Sequence, residues 1–315
     1  MRRAAILLMG PTGTGKSELA LQLAEHLPLE IVSVDSALVY RGMDIGTAKP
    51  DAAARARVPH HLIDIRDPAA NFSAGEFVRD ATAAMETIWK NGRQPLLVGG
   101  TMLYFHALTE GIAELPEADP EVRADIDRQA RQHGWGAVHE ELARVDPAAA
   151  ARIHVNDPQR IQRALEVFRL TGETITRLQR MNRPALADVA AHEYVLVPVR
   201  RSDLHARLER RFRAMMAGGF LQEVQGLHAR ADLTAEHPSM RAVGYRQLWR
   251  YLSGSCSLEE ASNRAVIATR QLAKRQLTWL RRRAGAARFD PMHPDVAPAL
   301  RHALTESVFA GWSSN

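Results

Sequence analysis

The sequence predicts an α/β fold in which a parallel sheet is flanked by helices and carries a helical insertion. Two observations support this prediction. Short, uninterrupted apolar runs alternate with segments of helical period, as in βαβ units, and such runs vanish between residues 115 and 188. A chain of 315 residues accommodates one large domain with an insertion, or two domains. We therefore expect a core over residues 1–116 and 190–315, with basic C-terminal helices, and an insertion over residues 117–189.

The first βαβ unit is predicted at the N-terminus. Residues 4–9 form a continuous apolar run, which is typical of a strand buried on both faces of a parallel sheet. Residues 16–27 carry leucines at helical spacing, and residues 30–34 form a second run that ends before Asp35. Strand, loop, helix and strand in such close succession form a βαβ unit, which indicates a parallel sheet.

Two further strands are predicted at residues 95–98 and 194–199, and two glycines and Thr101 follow the first of them. Ligands of open parallel sheets bind at the carboxyl ends of the strands. The loop after the first strand, Asp35 and Thr101 all lie at such ends. We therefore expect these three segments to converge on one site.

The insertion is predicted to be helical and to open at residues 118–121. One of its helices has clear boundaries, because Asp157 is a typical N-cap, Pro158 suits the first helical position and Gly172 ends the run. Its buried face is predicted to comprise Ile161, Leu165 and Phe168. The chain is again mostly helical in pattern from residue 203, and the tail after residue 289 has no clear pattern.

Composition excludes several classes of protein. The apolar fraction of 46% and the charged fraction of 24% are typical of a globular protein. Only four of the 41 basic residues are lysines; arginine suits phosphate and nucleic acid, but a GC-rich genome gives the same bias. The single cysteine, Cys256, excludes an internal disulfide framework and a cysteine-rich zinc site. Because no apolar run is long enough for a signal peptide or a membrane span, we expect a cytoplasmic protein without membrane contact.

A glycine-rich loop carries the clearest motif. It follows the first strand, precedes the first helix and matches the pattern Gly-x-x-x-x-Gly-Lys-Ser/Thr. Backbone N–H groups of such a loop cradle phosphate oxygens, the lysine neutralises their charge, and the serine hydroxyl can bind Mg²⁺. The motif predicts a P-loop NTPase-like sheet with a bound pyrophosphate group. The phosphate loop consists of Gly10, Pro11, Thr12, Gly13, Thr14, Gly15, Lys16 and Ser17.

The usual interpretation of this loop as an ATP site lacks its partner element. A Walker-B-type site requires an apolar strand that ends in aspartate, whereas residues 95–98 are followed by glycine. Residues 62–64 offer only a short substitute ending in Asp64. Asp35 is the acid best placed beside the loop, and its position favours a base acting on an acceptor over a nucleotide metal ligand.

Six further segments make the chain resemble the bacterial tRNA dimethylallyltransferase family, also called the tRNA isopentenyltransferase or IPP transferase family. The matches run in order from residue 4 to about residue 283. The segments are residues 34–40 (VDSALVY), 42–50 (GMDIGTAKP), 98–104 (VGGTMLY), 157–160 (DPQR), 240–246 (MRAVGYR) and 269–276 (TRQLAKRQ).

This resemblance implies a reaction. A dimethylallyl group passes from dimethylallyl diphosphate to the exocyclic amine of the adenine 3′ of the anticodon, in tRNAs that read codons beginning with U. The diphosphate of the donor occupies the phosphate loop with Mg²⁺ as cofactor, and it leaves as the product. The implied partner is the tRNA anticodon stem-loop, and we expect a monomer.

The resemblance also implies roles for individual residues. Asp35 is the expected general base, Thr101 lies near the amine and the leaving oxygen, and Lys16 stabilises the leaving charge. Arg211 is expected to reach the diphosphate, and Ser17 to bind Mg²⁺. The residues expected to contact tRNA are Asp35, Ser36, Ala37, Leu38, Thr101, Arg123, Gln159, Arg160, Ile161, Gln162, Arg163, Met240, Arg241, Ala242, Val243, Gly244, Tyr245, Lys274, Arg275 and Arg281.

A basic segment near the C-terminus supports an RNA substrate. Residues 264–288 contain eight basic residues and no acid, and Arg270, Lys274 and Arg281 form one stripe on a predicted helix. Such a face suits a phosphate backbone, although a solvated surface is the alternative. His60 and His61 are more typical of a loop or pocket wall than of a metal pair, since adjacent side chains do not face one site.

Three other functions fit parts of the sequence. A small-molecule or nucleotide kinase would share the loop and the fold, but it needs neither the basic segment nor Asp35. A prenyltransferase acting on a free adenine nucleotide would not need the insertion. A tRNA-binding protein without activity would not need Lys16, Ser17 and Asp35 together.

Overall fold

The computed structural model of the protein describes residues 3–113, 115–180 and 184–310. These residues form one six-stranded sheet in the order β3-β2-β4-β1-β5-β6, and every pair of neighbouring strands is parallel. Helices flank the sheet, which confirms the predicted α/β class. The strands are β1 (Ala4–Met9), β2 (Leu29–Val34), β3 (His60–His61), β4 (Gln94–Gly99), β5 (Ala190–Leu196) and β6 (Ala287–Phe289).

Thirteen α-helices occur in the described part of the chain. They are α1 (Lys16–Ala24), α2 (Ala52–Arg57), α3 (Ala74–Lys90), α4 (Met102–Thr109), α5 (Pro120–Val145), α6 (Pro147–Arg152), α7 (Pro158–Thr171), α8 (Ile175–Arg180), α9 (Arg201–Ala217), α10 (Phe220–His228), α11 (Tyr245–Leu252), α12 (Leu258–Leu280) and α13 (Val296–Ser307). None of these helices is long and apolar enough to cross a membrane.

The chain divides into two compact units. The sheet unit comprises Met1–His106 and Asp188–Asn315, and the helical unit comprises Ala107–Ala187. The helical unit therefore begins earlier than residue 117, the predicted start of the insertion, because the last turn of α4 belongs to it.

The core of the sheet unit explains why β1 was recognisable from the sequence. All six residues of β1 are buried, and its neighbours on both sides are strands of the same sheet. One face packs against Leu19 and Leu23 of α1 and against Leu300 and Leu304 of α13. Helix α1 ends at Ala24, three residues before the predicted end.

The remaining strands show where the sequence prediction was wrong. Strand β5 covers Ala190–Leu196, whereas residues 194–199 were predicted, because its first half is small or polar and only partly buried. The two outer strands, β3 and β6, are two and three residues long and have no apolar run of their own. His60 and His61 thus form a strand and not a loop, but His60 lines a small cavity, as predicted for a pocket wall. His61 Nε2 contacts the buried carboxylate of Glu30 at 2.7 Å.

Within the helical unit, α5, α6 and α7 enclose a separate apolar core of Ile126, Val138, Leu142, Ile161 and Leu165. The predicted boundaries of α7 are confirmed. The carboxylate of its N-cap accepts a hydrogen bond from a backbone N–H three residues later, and Gly172 ends the helix with φ of 72°. Phe168, predicted to be buried, is only half-buried, because the buried face continues through Val167 instead.

Candidate active site

The phosphate loop joins the buried end of β1 to the start of α1. Its backbone reverses at Gly13 and Gly15, which have φ of 84° and 80° and so occupy the left-handed region that favours glycine. A Cβ atom at Gly13 would also lie 2.5 Å from Cδ2 of Leu208. The Thr14 hydroxyl donates to the carbonyl of Pro11 at 2.8 Å and closes the loop. The N-terminus of α1 therefore opens into a turn suited to an anion.

Partly buried positive charge surrounds this turn. Lys16 Nζ donates to the carbonyl of Pro11 at 2.8 Å, and burial lowers the pKa of Lys16 to about 7, with Arg211 adding to the decrease and Asp35 opposing it. Burial likewise lowers the pKa of Arg211, against the attraction of Asp35 and together with repulsion from Arg207. Arg211 and Lys16 therefore repel each other. The cluster of Lys16, Arg207, Arg211 and Asp35 has three cationic groups and one anionic group. A bound anion would offset the imbalance.

Asp35 follows β2 and is held by its own turn. Its Oδ1 accepts hydrogen bonds from the N–H groups of Ala37 at 2.8 Å and Leu38 at 3.4 Å. The second carboxylate oxygen has no hydrogen-bond partner among the described residues. The carboxylate is therefore oriented by one oxygen and is able to accept a proton on the other.

Thr101 follows β4 and is attached to the same turn. Its N–H donates to the carbonyl of Val34 at 3.2 Å, and its Oγ1 accepts from the N–H of Ser36 at 3.1 Å. The two strand ends approach closely because Gly99 has no side chain, since a Cβ atom there would lie 1.9 Å from the carbonyl oxygen of Val34. In the order β2-β4-β1, Asp35, Thr101 and the phosphate loop thus follow three adjacent strands.

Gln276 belongs to the same site, and the sequence did not identify it. This residue lies on the buried face of α12 and is 8% exposed. Its Oε1 accepts from the N–H of Thr12 at 2.9 Å, and its Nε2 donates to the carbonyl of Gly100 at 2.7 Å. A polar residue between Ala273 and Leu277 on the apolar face of a helix was the available sequence signal.

The protein offers few ligands of its own for a metal. Among the residues that the structure describes, no group of three or more histidines, cysteines, aspartates or glutamates could hold an ion. Ser17, the second residue of α1, is exposed and lines a small cavity with Leu38 and Val98. Mg²⁺ commonly binds through one or two protein ligands together with substrate phosphates and water. The residues present fit an ion of that kind.

In the helical unit, two of the predicted tRNA-contacting arginines are engaged with a buried acid. Arg123 donates to both carboxylate oxygens of Glu166, at 2.8 and 3.1 Å, and Arg163 donates to the same carboxylate at 2.5 Å. Glu166 is fully buried. Burial alone would raise its pKa, but the hydrogen bonds from Arg123 and Arg163 outweigh this effect and lower it.

The other predicted residues of this segment differ in exposure. Gln159 and Arg160 are exposed at the start of α7, and Gln162 donates to Asp127 at 2.7 Å. Ile161 is 0% exposed and belongs to the core of the helical unit. The prediction that Ile161 contacts tRNA is therefore wrong for its side chain, which packs against the other helices.

Glu166→Gln is expected to destabilise the helical unit. Two guanidinium groups would lose their counter-charge. The free energy of unfolding should fall by an amount at the lower end of about 3–5 kcal/mol, because both arginines keep some solvent contact. Since the pKa of Glu166 is lowered, this contribution is present above the ordinary glutamate range and is lost as the pH falls through the folded value. Urea unfolding followed by far-UV circular dichroism measures this loss of stability.

Glu140→Gln, at an exposed position of α5, is the control and should change the free energy of unfolding by less than about 0.5 kcal/mol. Equal effects of the two substitutions would contradict the assignment of Glu166 as the structural counter-ion.

The segment 240–245 also requires correction. Met240 and Tyr245 are both 0% exposed, so the prediction that their side chains contact tRNA is wrong. The Tyr245 hydroxyl donates to Glu223 at 2.5 Å, and the Glu223 carboxylate also accepts from three successive N–H groups of residues 44–46. These side chains anchor the segment internally. Of the remaining predicted residues, Arg241 is exposed and pairs with Glu236 at 3.0 Å, Ala242 and Val243 are partly buried, and Gly244 is buried.

The basic segment contains no acid in its sequence, but the fold places acidic side chains from outside the segment beside it. Other parts of the chain supply a carboxylate to three of its members, because Glu260 pairs with Arg264, Glu209 with Arg270 and Glu193 with Arg283. The predicted stripe therefore loses Arg270. The basic residues that are exposed and have no acidic partner in the described part of the chain form what we call the basic patch. It consists of Lys274, Arg275, Arg281, Arg282 and Arg288.

Comparison with known proteins agrees with this arrangement. The family model described as IPP transferase matches residues 38–283, more than half of the chain. The chain belongs to the IPP transferase family. It is 59% identical over 295 residues to the tRNA dimethylallyltransferase of Nitrosococcus oceani, an alignment that covers 94% of each chain. The family resemblance seen in the six motifs is thus confirmed.

Two solved structures of the same kind of protein resemble the chain along its length. One is a tRNA isopentenylpyrophosphate transferase from Bacillus halodurans, with a TM-score of 0.71 and 35% identity, covering 97% of this chain and 96% of that one. The other is a eukaryotic dimethylallyltransferase described as acting on tRNA, with a TM-score of 0.83 and 25% identity, covering 98% of this chain and 79% of that one.

Proposed function

We propose that this protein transfers a dimethylallyl group from dimethylallyl diphosphate to the exocyclic amine of an adenine in tRNA and releases diphosphate. The observation that carries the proposal is the arrangement of three adjacent strand ends, which bear a phosphate loop, Thr101 and a carboxylate with one oxygen that has no hydrogen-bond partner among the described residues. Membership of the IPP transferase family supports the same reaction. The acceptor we propose is the adenine 3′ of the anticodon in tRNAs that read codons beginning with U.

On the acceptor side, Asp35 is the proposed general base. An adenine amine is a poor nucleophile because its lone pair is delocalised into the ring, so removal of its proton must accompany formation of the C–N bond. General bases of this kind contribute about 10²–10⁴-fold to the rate. The second carboxylate oxygen of Asp35 suits this role. The Thr101 hydroxyl, held by Ser36, suits a contact to the amine or to the leaving oxygen.

On the donor side, the phosphate loop, Lys16 and Arg211 are the proposed diphosphate site. Negative charge grows on the bridging oxygen as the allylic carbon departs, and preorganised cations and N–H groups stabilise such charge. Ser17 is the proposed protein ligand of Mg²⁺, which would add positive charge beside the leaving group when bound. The partly buried, weakly compensated charge of Lys16 and Arg211 is the feature that favours an anionic ligand here.

For the tRNA itself, a base in a stacked loop must be extracted before it can react, which costs a few kcal/mol that contacts to neighbouring nucleotides offset. The exposed basic patch of the sheet unit and the exposed Gln159 and Arg160 of the helical unit are the proposed contacts. We further propose that the protein acts as a monomer in the cytoplasm, where its tRNA substrates occur.

Lys274→Ala is expected to reduce the slope of log affinity for tRNA against log salt concentration by about one unit, because one phosphate contact is lost. Arg270→Ala should reduce it less, since Glu209 already neutralises Arg270 at 2.8 Å. Lys90→Ala, at an exposed lysine outside the basic patch, is the matched control. Filter binding over a range of salt concentrations measures the slopes, and an unchanged slope for Lys274→Ala would refute a backbone contact at that position.

A kinase function is less compatible with the site. Its metal site would require an acid at the end of β4, where Gly99 stands, or the short substitute Asp64. The carboxylate of Asp64 is already occupied, because Lys49 and Arg55 donate to it at 2.5 and 2.7 Å. Asp64 is therefore a structural acid.

The proposal is tested by incubating the protein with labelled dimethylallyl diphosphate, Mg²⁺ and unmodified tRNA, with AMP and ATP as competing acceptors. Label is expected on tRNA alone. Label on AMP with none on tRNA would replace the proposal by prenyl transfer to a free nucleotide, and phosphoryl transfer from ATP would replace it by kinase activity.

A further inference from the structure

Gln276 joins the two loops on which the proposed chemistry depends. Its side chain is buried, and each polar atom of its amide has one partner, Thr12 N–H in the phosphate loop and the Gly100 carbonyl immediately before Thr101. The three residues are far apart in sequence, so these two hydrogen bonds connect α12 with the ends of β1 and β4.

The lack of a side chain at Gly100 leaves room for this amide. A Cβ atom at Gly100 would lie 2.5 Å from Nε2 of Gln276 and 3.4 Å from the carbonyl oxygen of Gly10. Glycine at position 100 thus allows the amide to reach between the two loops. The residue after Gly100 is Thr101, whose hydroxyl in turn accepts from Ser36 next to Asp35.

The chemistry of the two partners selects an amide. Thr12 N–H requires an acceptor and the Gly100 carbonyl requires a donor, and a glutamine side chain supplies one of each. A leucine of similar size supplies neither, and an ionised glutamate supplies only the acceptor. A protonated glutamate, however, carries one carbonyl oxygen and one O–H group, so it could satisfy both partners as glutamine does.

We propose that Gln276 is a positioning residue that fixes the distance between the diphosphate-binding loop and the Thr101–Asp35 turn. This inference rests on the proposed transfer reaction. A displacement of about 1 Å between reacting groups can cost about 10²-fold in rate, so the loss of both hydrogen bonds affects turnover far more than it affects binding of tRNA. Gln276 touches neither substrate in this account.

The test compares Gln276→Leu and Gln276→Glu with the same substitutions at Gln271, an exposed glutamine on the same helix. Gln276→Leu should lower kcat by about 10- to 100-fold, with KM for tRNA within twofold of wild type. Gln276→Glu should be similarly impaired at high pH and should regain activity relative to wild type as the pH falls, because protonation restores the donor to Gly100. The Gln271 variants should show neither effect.

Several outcomes would overturn the inference. Equal kcat values for Gln276→Leu and Gln271→Leu would do so, as would a Gln276→Glu variant whose activity relative to wild type does not change with pH. A loss of activity in proportion to the unfolded fraction, measured by thermal unfolding at each pH, would reduce Gln276 to a stability role.

Failure of the proposed function gives a different result. If the wild-type protein does not prenylate tRNA, the affinity for inorganic diphosphate in the presence of Mg²⁺, measured by calorimetry, still tests whether the Gln276 amide positions the phosphate loop. Gln276→Leu should then bind diphosphate more weakly than Gln271→Leu, and equal affinities would overturn the inference independently of the reaction.

Discussion

Asp35→Asn is expected to lower kcat by about 10²–10⁴-fold while it leaves the affinity for tRNA within a few-fold of wild type. Asparagine has the same shape, and its carbonyl oxygen can still accept from the Ala37 N–H, so the turn after β2 keeps its geometry. What is lost is the basic oxygen that has no hydrogen-bond partner among the described residues. The affinity for diphosphate should not fall. Asp35 is an anion that interacts with Lys16 and Arg211, so removing its charge does not weaken their attraction for diphosphate.

Single-turnover kinetics with saturating protein separate this chemical effect from product release, and equilibrium binding gives the tRNA affinity separately. Asp295→Asn is the control, since Asp295 is an exposed carboxylate before α13 and outside the site. Normal turnover of bound tRNA combined with a collapsed tRNA affinity would identify Asp35 as a binding residue and exclude it as the base.

Lys16→Met is expected to lower kcat by about 10²–10³-fold without loss of stability. Methionine approximates the length of lysine but carries no charge for the departing diphosphate. The substitution should leave the free energy of unfolding unchanged or raise it. Burial lowers the pKa of Lys16 to about 7 and so disfavours its charged form in the absence of an anion. A stable protein with little activity is the combination that a diphosphate-binding lysine predicts.

Thermal unfolding and steady-state kinetics give the two halves of this prediction. Lys90→Met, at an exposed position at the end of α3, should change neither quantity. If Lys16→Met lowered the unfolding temperature and left kcat intact, Lys16 would be a structural residue whose hydrogen bond to Pro11 supports the loop.

The parts of the fold that could be predicted are those whose cause is local. β1 is apolar throughout because it is buried on both faces, and α7 is bounded by an N-cap, a proline and a glycine that act on adjacent backbone groups. The first half of β5 and the whole of β6 lack such a local cause. They are strands because each lies beside a strand from elsewhere in the chain.

The same distinction applies to the candidate site. The convergence of Asp35, Thr101 and the phosphate loop follows from a general rule about the carboxyl ends of parallel strands, so the sequence was enough to expect it. The pairing of Arg270 with Glu209 depends on the packing of α12 against α9, and the burial of Tyr245 depends on Glu223. Contacts between distant segments decided which basic and aromatic residues are free, and no local pattern encodes them.

The most direct measurement is the position of the modification on tRNA. Unmodified tRNA that reads a codon beginning with U is incubated with the protein, dimethylallyl diphosphate and Mg²⁺, digested with a nuclease, and its fragments are analysed by mass spectrometry. We expect one added dimethylallyl group on the adenine 3′ of the anticodon, formed by the wild-type protein and strongly reduced with Asp35→Asn. A dimethylallyl group at another nucleotide, or an equal yield with Asp35→Asn, would contradict this expectation.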